Sequence, residues 1–201
     1  MRSPGRSPRM TMHANVIRYF SFHNSSLHRF YLLHYTIFTS ASLFYSFSHI
    51  VSMKILIAYG TLSGNTQTVA ESLGQHLTSA GHTVTVHSQD DVKPDSMNEY
   101  EFVFLGGSTW GDGESNPSTQ NFMQDVQAST VTFPTVKFAI FGLGETNYAQ
   151  FCAVTTHLED MLKAKGATPV CESLKIDGYP DDTILQTTHT WADAALTKMS
   201  A

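Results

Sequence analysis

The chain has 201 residues, and its charge divides at about residue 52. Residues 1–52 contain five arginines and no acidic residue, whereas residues 53–201 contain seven lysines and all seventeen acidic residues, a formal charge of −10. A domain this acidic repels nucleic acid and anionic membranes, so we expect neither as a partner, and it suits docking on basic protein surfaces. Two cysteines, Cys152 and Cys171, are too few for a disulfide framework, and we expect reduced core residues in a cytoplasmic protein.

Residues 1–52 differ from the rest of the chain and have three explanations. An acid-free segment with Arg and Ser is typical of a mitochondrial or plastid transit peptide. Residues 30–53 carry no formal charge and are long enough for a membrane anchor, although His34, His49 and many hydroxyl residues interrupt them. The third explanation is a mis-assigned start, with translation beginning at Met53. We expect residues 1–52 to be a disordered extension and residues 53–201 to form one domain.

From Met53 onward, strand and helix patterns alternate, which is the signature of an α/β domain. The helix that starts near Thr66 ends at Gly81, and Asn116 and Pro117 are a typical helix start. Five strands joined by crossover helices predict a doubly wound parallel sheet of order 2-1-3-4-5, with helices on both faces. The predicted strands span residues 54–59, 83–88, 101–106, 136–141 and 168–174, and the later helices span about 117–127, 152–165 and 181–198.

Small and hydroxyl residues occupy the junction between the first strand and the first helix, residues 61–66. Such a junction points backbone N–H groups and the positive end of the helix dipole at one small volume, where an anion is stabilised. Thr61, Ser63, Asn65 and Thr66 add neutral donors, and the loop lacks the Lys-Ser/Thr ending of a nucleotide P-loop. It therefore predicts a phosphate site that is not for ATP or GTP. The alternative is an ordinary turn in which Thr66 only caps the helix.

Two later loops also follow apolar strands, and each carries an aromatic residue among small ones. Residues 108–114 contain Trp110, and residues 141–152 contain Tyr148. Because the carboxyl ends of parallel strands meet at one edge of a sheet, we expect all three loops to converge. Aromatic faces at such a site stack on a flat ligand and exclude water.

These loops resemble those of the flavodoxin family, specifically its short-chain form, over about residue 53 to the C-terminus. The resemblance implies a flavodoxin-like fold and one non-covalent FMN, with residues 61–66 at its phosphate and Trp110 and Tyr148 at its ring. The cofactor-binding residues that it implies are Thr61, Leu62, Ser63, Gly64, Asn65, Thr66, Ser108, Thr109, Trp110, Gly111, Gly142, Leu143, Gly144, Glu145, Tyr148, Phe151 and Cys152.

The resemblance further implies an electron carrier rather than an enzyme, shuttling single electrons between redox proteins. Asp112, Glu114 and Glu145 lie in the loops and disfavour negative charge on a reduced ring, which predicts a low potential. We expect a monomer that docks on basic surfaces of a reductase donor and an acceptor enzyme. Residue spacing suggests no catalytic group and no metal site. Residues 113–117 also resemble a loop in the flavodoxin-like domains of diflavin reductases.

Two other functions fit a sheet of this kind. An NAD(P)H–quinone reductase on the same fold is the alternative, but no basic residue in the loops is placed for a pyridine-nucleotide phosphate. A phosphoacceptor signalling domain needs clustered acids at the ends of the first and third strands, where the sequence has Tyr59-Gly60 and Gly106-Gly107.

Overall fold

Short apolar runs, buried on both faces, form the sheet at the centre of the domain. The structure is a computed structural model that describes residues 52–199. Its strands are β1 (Lys54–Tyr59), β2 (Thr83–Ser88), β3 (Phe102–Trp110), β4 (Glu114–Ser115), β5 (Lys137–Gly144), β6 (Thr168–Pro169) and β7 (Leu174–Asp177). Parallel pairing runs in the order β2-β1-β3-β5-β6, with β7 also beside β5, and the short β4 pairs antiparallel with β3. The predicted order is confirmed.

The last predicted strand, residues 168–174, differs from the structure because it is divided in two. Pro169 pairs with Phe138 and Leu174 pairs with Phe141, so five steps along this edge strand match three steps along β5. The two extra residues interrupt the pairing next to Pro169, which has no N–H to donate to the sheet. The interruption carries the strand on to Asp177, beyond the predicted end.

Helices cover both faces of the sheet, as predicted. The alternating side chains of β1 divide the core, with Ile55 and Ile57 on one face and Leu56 and Ala58 on the other. The helices are α1 (Asn65–Ser79), α2 (Pro117–Ala128), α3 (Ala153–Ala164) and α4 (Asp182–Met199). Buried residues of α1 and α4 pack with Ile55 and Ile57, whereas those of α2 and α3 pack with Leu56 and Ala58.

The start of α1 differs from the alternative interpretation in which Thr66 only caps the helix. Gly64 is the N-cap residue and adopts a left-handed conformation with φ of 87°. Thr66 is the second residue of the helix, so its hydroxyl is not used for capping. The predicted cap of α2 is confirmed, because the Asn116 side chain accepts a hydrogen bond of 3.1 Å from the Thr119 N–H.

The predicted N-terminal extension, apart from Ser52, lies outside the described residues. Most of residues 30–53, considered above as a membrane anchor, also lie there. No helix within residues 52–199 has the length and apolar character needed to cross a membrane.

Candidate functional site

Four loops at the carboxyl edge of the parallel sheet surround a cavity of about 260 Å³. The loops follow β1, β3, β5 and β7, so the convergence expected of the first three is observed. The lining residues are Ser63, Asn65, Thr66, Ser108, Thr109, Trp110, Gly111, Leu143, Gly144, Glu145, Tyr148, Gly178 and Tyr179.

At one end of the cavity, the first turn of α1 presents unused hydrogen-bond donors. The first helical hydrogen bond runs from the Thr68 N–H to the Gly64 carbonyl at 2.9 Å, so the N–H groups of the first three helical residues have no acceptor within the helix. Thr66 is 1% exposed, and its hydroxyl has no hydrogen-bond partner within residues 52–199. An unpaired buried hydroxyl costs about 1–3 kcal/mol. This end of the cavity therefore fits a phosphate group, whose oxygens accept hydrogen bonds.

The other end of the cavity carries two exposed aromatic rings. Trp110 is the last residue of β3 and is 45% exposed, and Tyr148, in the loop after β5, is 51% exposed. The Trp110 indole N–H donates to the Ser108 hydroxyl over 3.2 Å, which restrains a ring that packing leaves half free. Both rings line the cavity, and their faces can cover a flat aromatic ligand.

The loop that carries Tyr148 is held by the end of β7. The Asp177 carboxylate accepts hydrogen bonds from the Thr146 hydroxyl at 2.7 Å and from the Thr146 N–H at 3.0 Å. These two bonds, the hydroxyl first, hold the pKa of Asp177 below its ordinary value of 3.8. The Gly178 N–H also donates to the Gly144 carbonyl at 2.9 Å. The end of β7 thus positions the loop that follows β5.

Gly178 and Tyr179 line the cavity but were missed by the reasoning from sequence. Tyr179 is 78% exposed and lies two residues after the end of the last strand. The carboxyl ends of parallel strands meet at one edge of the sheet, and this rule also applies to the loop after the last strand. The sequence could therefore have indicated that this loop reaches the cavity. It was overlooked because the predicted strand ended at residue 174 rather than at Asp177.

Some residues implied by the resemblance do not line the cavity. The Thr61 hydroxyl accepts a hydrogen bond from the Gly64 N–H at 3.0 Å, which shapes the loop. Cys152 is fully buried, and burial raises the pKa of its thiol to about 11, so the thiol is neutral at physiological pH. Cys171 is half-buried rather than buried as expected. Leu62, Gly64, Gly142 and Phe151 also lie outside the lining. Contact of these four residues, Thr61 and Cys152 with a cofactor stays a prediction.

Acidic and neutral groups, without a basic one, surround the cavity. Glu145 lines it, and a Cβ atom built on Gly111 would lie 2.8 Å from a carboxylate oxygen of Glu114. Neither Lys nor Arg occurs among the lining residues, which leaves a pyridine-nucleotide phosphate without a cationic partner. Within residues 52–199, no group of three or more His, Cys, Asp or Glu side chains is arranged to hold a metal ion.

Comparisons with known proteins agree with this geometry. The family model described as Flavodoxin matches residues 57–191, more than half of the chain. The flavodoxin of Nitratidesulfovibrio vulgaris strain Miyazaki F is 34% identical over 148 residues, which cover 73% of this chain and 99% of that protein. The crystal structure of oxidised flavodoxin 2 from Bacillus cereus has a TM-score of 0.66 at 34% identity and covers 72% of this chain and 99% of that one.

A larger flavoprotein also matches. The NADPH sulfite reductase flavoprotein alpha-component of Photobacterium profundum is 32% identical over 127 residues, which cover 62% of this chain but only 21% of that protein. The comparisons favour an electron carrier over the NAD(P)H–quinone reductase considered above. The chain therefore belongs to the flavodoxin family and is an FMN-dependent electron-transfer protein.

Proposed function

We propose that residues 53–201 hold one FMN in the cavity, with its phosphate at the start of α1 and its ring between Trp110 and Tyr148. The observation that carries this proposal is the buried, unpartnered hydroxyl of Thr66 beside the free N–H groups of the first turn. A phosphate there satisfies all of these donors without a Lys or Arg. The two exposed rings stand at the other end of the same cavity, where a flat ligand buries them.

The charge around the ring supports a low reduction potential. FMN, when bound, supplies the redox chemistry by taking up and releasing single electrons. The protein's own groups at the ring end are Glu145 in the lining, Asp112 in the adjoining loop and Glu114 at the start of β4, all exposed. Each disfavours added negative charge on the ring, and no Lys or Arg in the lining offsets them. Solvent screens these exposed carboxylates, so the effect of each is modest.

The partners that fit this domain are redox proteins with basic docking surfaces, a reductase as donor and an enzyme as acceptor. Residues 53–201 carry a formal charge of −10, which steers a basic partner toward the domain. The match to about one fifth of a sulfite reductase flavoprotein supports a module that works beside other redox domains. The proposal includes a monomer in the cytoplasm.

The visible spectrum of the purified protein tests the proposal. We expect flavin absorbance at one FMN per chain, and a long-wavelength band on partial reduction, as a one-electron carrier requires. Steady oxidation of NADH or NADPH by the pure protein would instead support the reductase. A purified protein that takes up no FMN when it is added would contradict the proposal outright.

A further inference from the structure

A buried hydrogen-bond network of Gln89, Asn116 and Thr119 lies where β1 and β3 reach the cavity. Their side chains are 2%, 1% and 0% exposed, respectively. The Thr119 hydroxyl donates to the Gln89 side-chain oxygen at 2.7 Å and accepts from the Asn116 amide at 3.0 Å. Burying polar groups at this depth is favourable only when they are hydrogen-bonded.

The network contacts the residue that follows β1 and the middle of β3. Asn116 Nδ2 is 3.1 Å from the Gly60 carbonyl, and Gln89 Nε2 donates to the Gly106 carbonyl at 3.0 Å. The same Gly106 carbonyl also accepts from the Gly60 N–H at 2.9 Å. Gly60 begins the loop at the phosphate end of the cavity, and β3 continues from Gly106 to Trp110 at the ring end. One cluster therefore sets the distance between them.

The network also reaches the Trp110 ring. Asn116 Nδ2 lies 3.2 Å from the Ser108 hydroxyl oxygen, which accepts the Trp110 indole N–H, also at 3.2 Å. The two hydrogens of Asn116 Nδ2 are thus shared among oxygen atoms of Gly60, Ser108 and Thr119. Because Trp110 is 45% exposed, packing alone does not fix the plane of its ring. A continuous path of hydrogen bonds leads from Gln89 through Thr119, Asn116 and Ser108 to the indole.

The backbone of the first loop packs tightly against the network at Gly60. A Cβ atom built on Gly60 would lie 2.1 Å from the Thr119 hydroxyl oxygen and 2.5 Å from the Gln89 side-chain oxygen. A glycine is required there because any side chain would displace the network. The tight packing of Gly60 against Thr119 and Gln89 is a second way in which these two residues determine the position of the first loop.

We infer that Gln89, Asn116 and Thr119 are positioning residues for the flavin ring. They orient Trp110 through Ser108 and hold the start of the first loop, without contacting the cofactor themselves. The Asn116 side-chain oxygen has a separate structural role as the cap of α2. This inference rests on the proposed FMN function where it is tested by flavin affinity. It does not rest on that function where it is tested by the NMR signal of Trp110 in flavin-free protein.

The test is Thr119→Val, which keeps the shape of the side chain and removes the hydroxyl between Gln89 and Asn116. Thr188→Val is the matched control, because Thr188 is also buried in a helix and its hydroxyl donates to the Ile184 carbonyl of the same helix at 2.9 Å. The first measurement is the NMR signal of the indole N–H groups in flavin-free protein. The chain has two tryptophans, and Trp191, whose N–H donates to the Glu172 carbonyl at 3.1 Å, is an internal reference.

We expect Thr119→Val to shift the Trp110 indole signal and to speed its exchange with solvent, with the Trp191 signal unchanged. We expect Thr188→Val to leave the Trp110 signal unchanged. The second measurement is affinity for FMN and for riboflavin. Riboflavin affinity should weaken in Thr119→Val by about three- to tenfold, the factor that corresponds to one lost hydrogen bond, and FMN affinity by at least as much. Riboflavin loses affinity because it has the same ring as FMN, and FMN also contacts the first loop through its phosphate.

The inference is overturned if Thr119→Val, like Thr188→Val, leaves the Trp110 indole signal unchanged. It is also overturned if FMN and riboflavin affinities stay at the level of that control. If Thr119→Val does not fold, Ser108→Ala breaks the same path at a half-buried position of β3 and should give the same two results. If the unaltered protein binds no flavin, the proposed function fails, whereas the indole signals still decide the positioning role.

Discussion

At the residue scale, the Thr66 hydroxyl shows how the binding site opposes the stability of the flavin-free protein. It is buried and has no hydrogen-bond partner within residues 52–199, which costs about 1–3 kcal/mol before a ligand arrives. A phosphate oxygen beside it converts that cost into a charge-assisted hydrogen bond. Stability and binding should therefore respond in opposite directions to loss of this hydroxyl.

Thr66→Val, which removes the hydroxyl and keeps the branched shape, should weaken FMN binding by about tenfold or more. Riboflavin, which lacks the phosphate, should bind nearly as before, and the flavin-free variant should be as stable as the parent or more so. Titration with both ligands and thermal unfolding measure these effects. Thr68→Val is the control, because the exposed Thr68 hydroxyl donates to the Gly64 carbonyl at 3.1 Å. Equal losses for FMN and riboflavin would place the phosphate elsewhere.

Tyr148→Ala tests the ring end of the cavity. An electron-rich face and the exclusion of water both disfavour added negative charge on the ring. Removing Tyr148 should therefore make the second one-electron potential of the bound flavin less negative, and the first should move less. Redox titration measures both potentials. An unmoved second potential would mean that Tyr148 does not lie at the ring.

Asp112→Asn and Glu145→Gln should shift the second potential in the same direction by a smaller amount, because exposed charges are screened. Their shifts should shrink at high salt, whereas that of Tyr148→Ala should persist. Asp95→Asn is the control, because exposed Asp95 precedes β3 and lies toward the opposite edge of the sheet. A shift as large in Asp95→Asn would show that overall charge, not charge near the ring, sets the potential.

At the element scale, the contact between α1 and α4 contains a pair of stacked histidines. The His76 and His189 rings lie 4.3 Å apart at an angle of 6°. His76 is 2.8 Å from the Asp193 carboxylate, and His189 is 2.9 Å from the Ser72 hydroxyl. His76 is half-buried in this contact. The helix at the proposed phosphate site is thus supported by titratable groups.

The flavin-free protein should lose stability as pH falls below about 6.5. Burial, followed by the charge of His76, lowers the pKa of His189 from its ordinary value of 6.5, and burial also lowers that of His82, although Asp193 opposes both shifts. The unfolded chain therefore binds more protons in this range, and stability rises with pH until it levels off above 6.5. Urea unfolding of His189→Gln should show a flatter dependence on pH. His157→Gln, at an exposed position, should keep the parental slope, and equal slopes in both variants would contradict the assignment.

At the scale of the whole molecule, residues 53–199 contain every group used in the proposed site. Met53 is 8% exposed, and its carbonyl accepts from the Thr83 N–H at 2.9 Å, so the domain requires this residue. The acidic charge lies entirely in residues 53–201, whereas the five arginines lie in residues 1–52. Binding of flavin and docking of partners should therefore depend on the first part of the chain only weakly.

A protein beginning at Met53 should fold and bind FMN with unchanged affinity. Thermal unfolding and FMN titration of the full chain and of this shortened form are the comparison. An insoluble shortened form, or one that has lost its flavin, would show that residues 1–52 pack on the domain.

The sequence by itself determined the order of the sheet and three of the four loops at the cavity. Periodicity along the chain is a local property, so the alternation of strands and helices and the aromatic residues Trp110 and Tyr148 could be read directly. Parallel topology then placed the three loops at one edge. It did not show that Thr66 lies inside the first helix, because that depends on the left-handed turn at Gly64.

Only the tertiary structure decided how the loops are held. The Asn116 amide reaches Gly60 across 56 positions, and Asp177 holds Thr146 across 31. Such contacts cannot be predicted from sequence periodicity. From the sequence alone, Asn116 is interpreted as a helix cap and Asp177 as an ordinary surface acid. The isolation of the Thr66 hydroxyl is likewise a property of everything packed around it. Residue types and spacing predict which groups face a site, but the partners of a buried polar group are chosen by the fold as a whole.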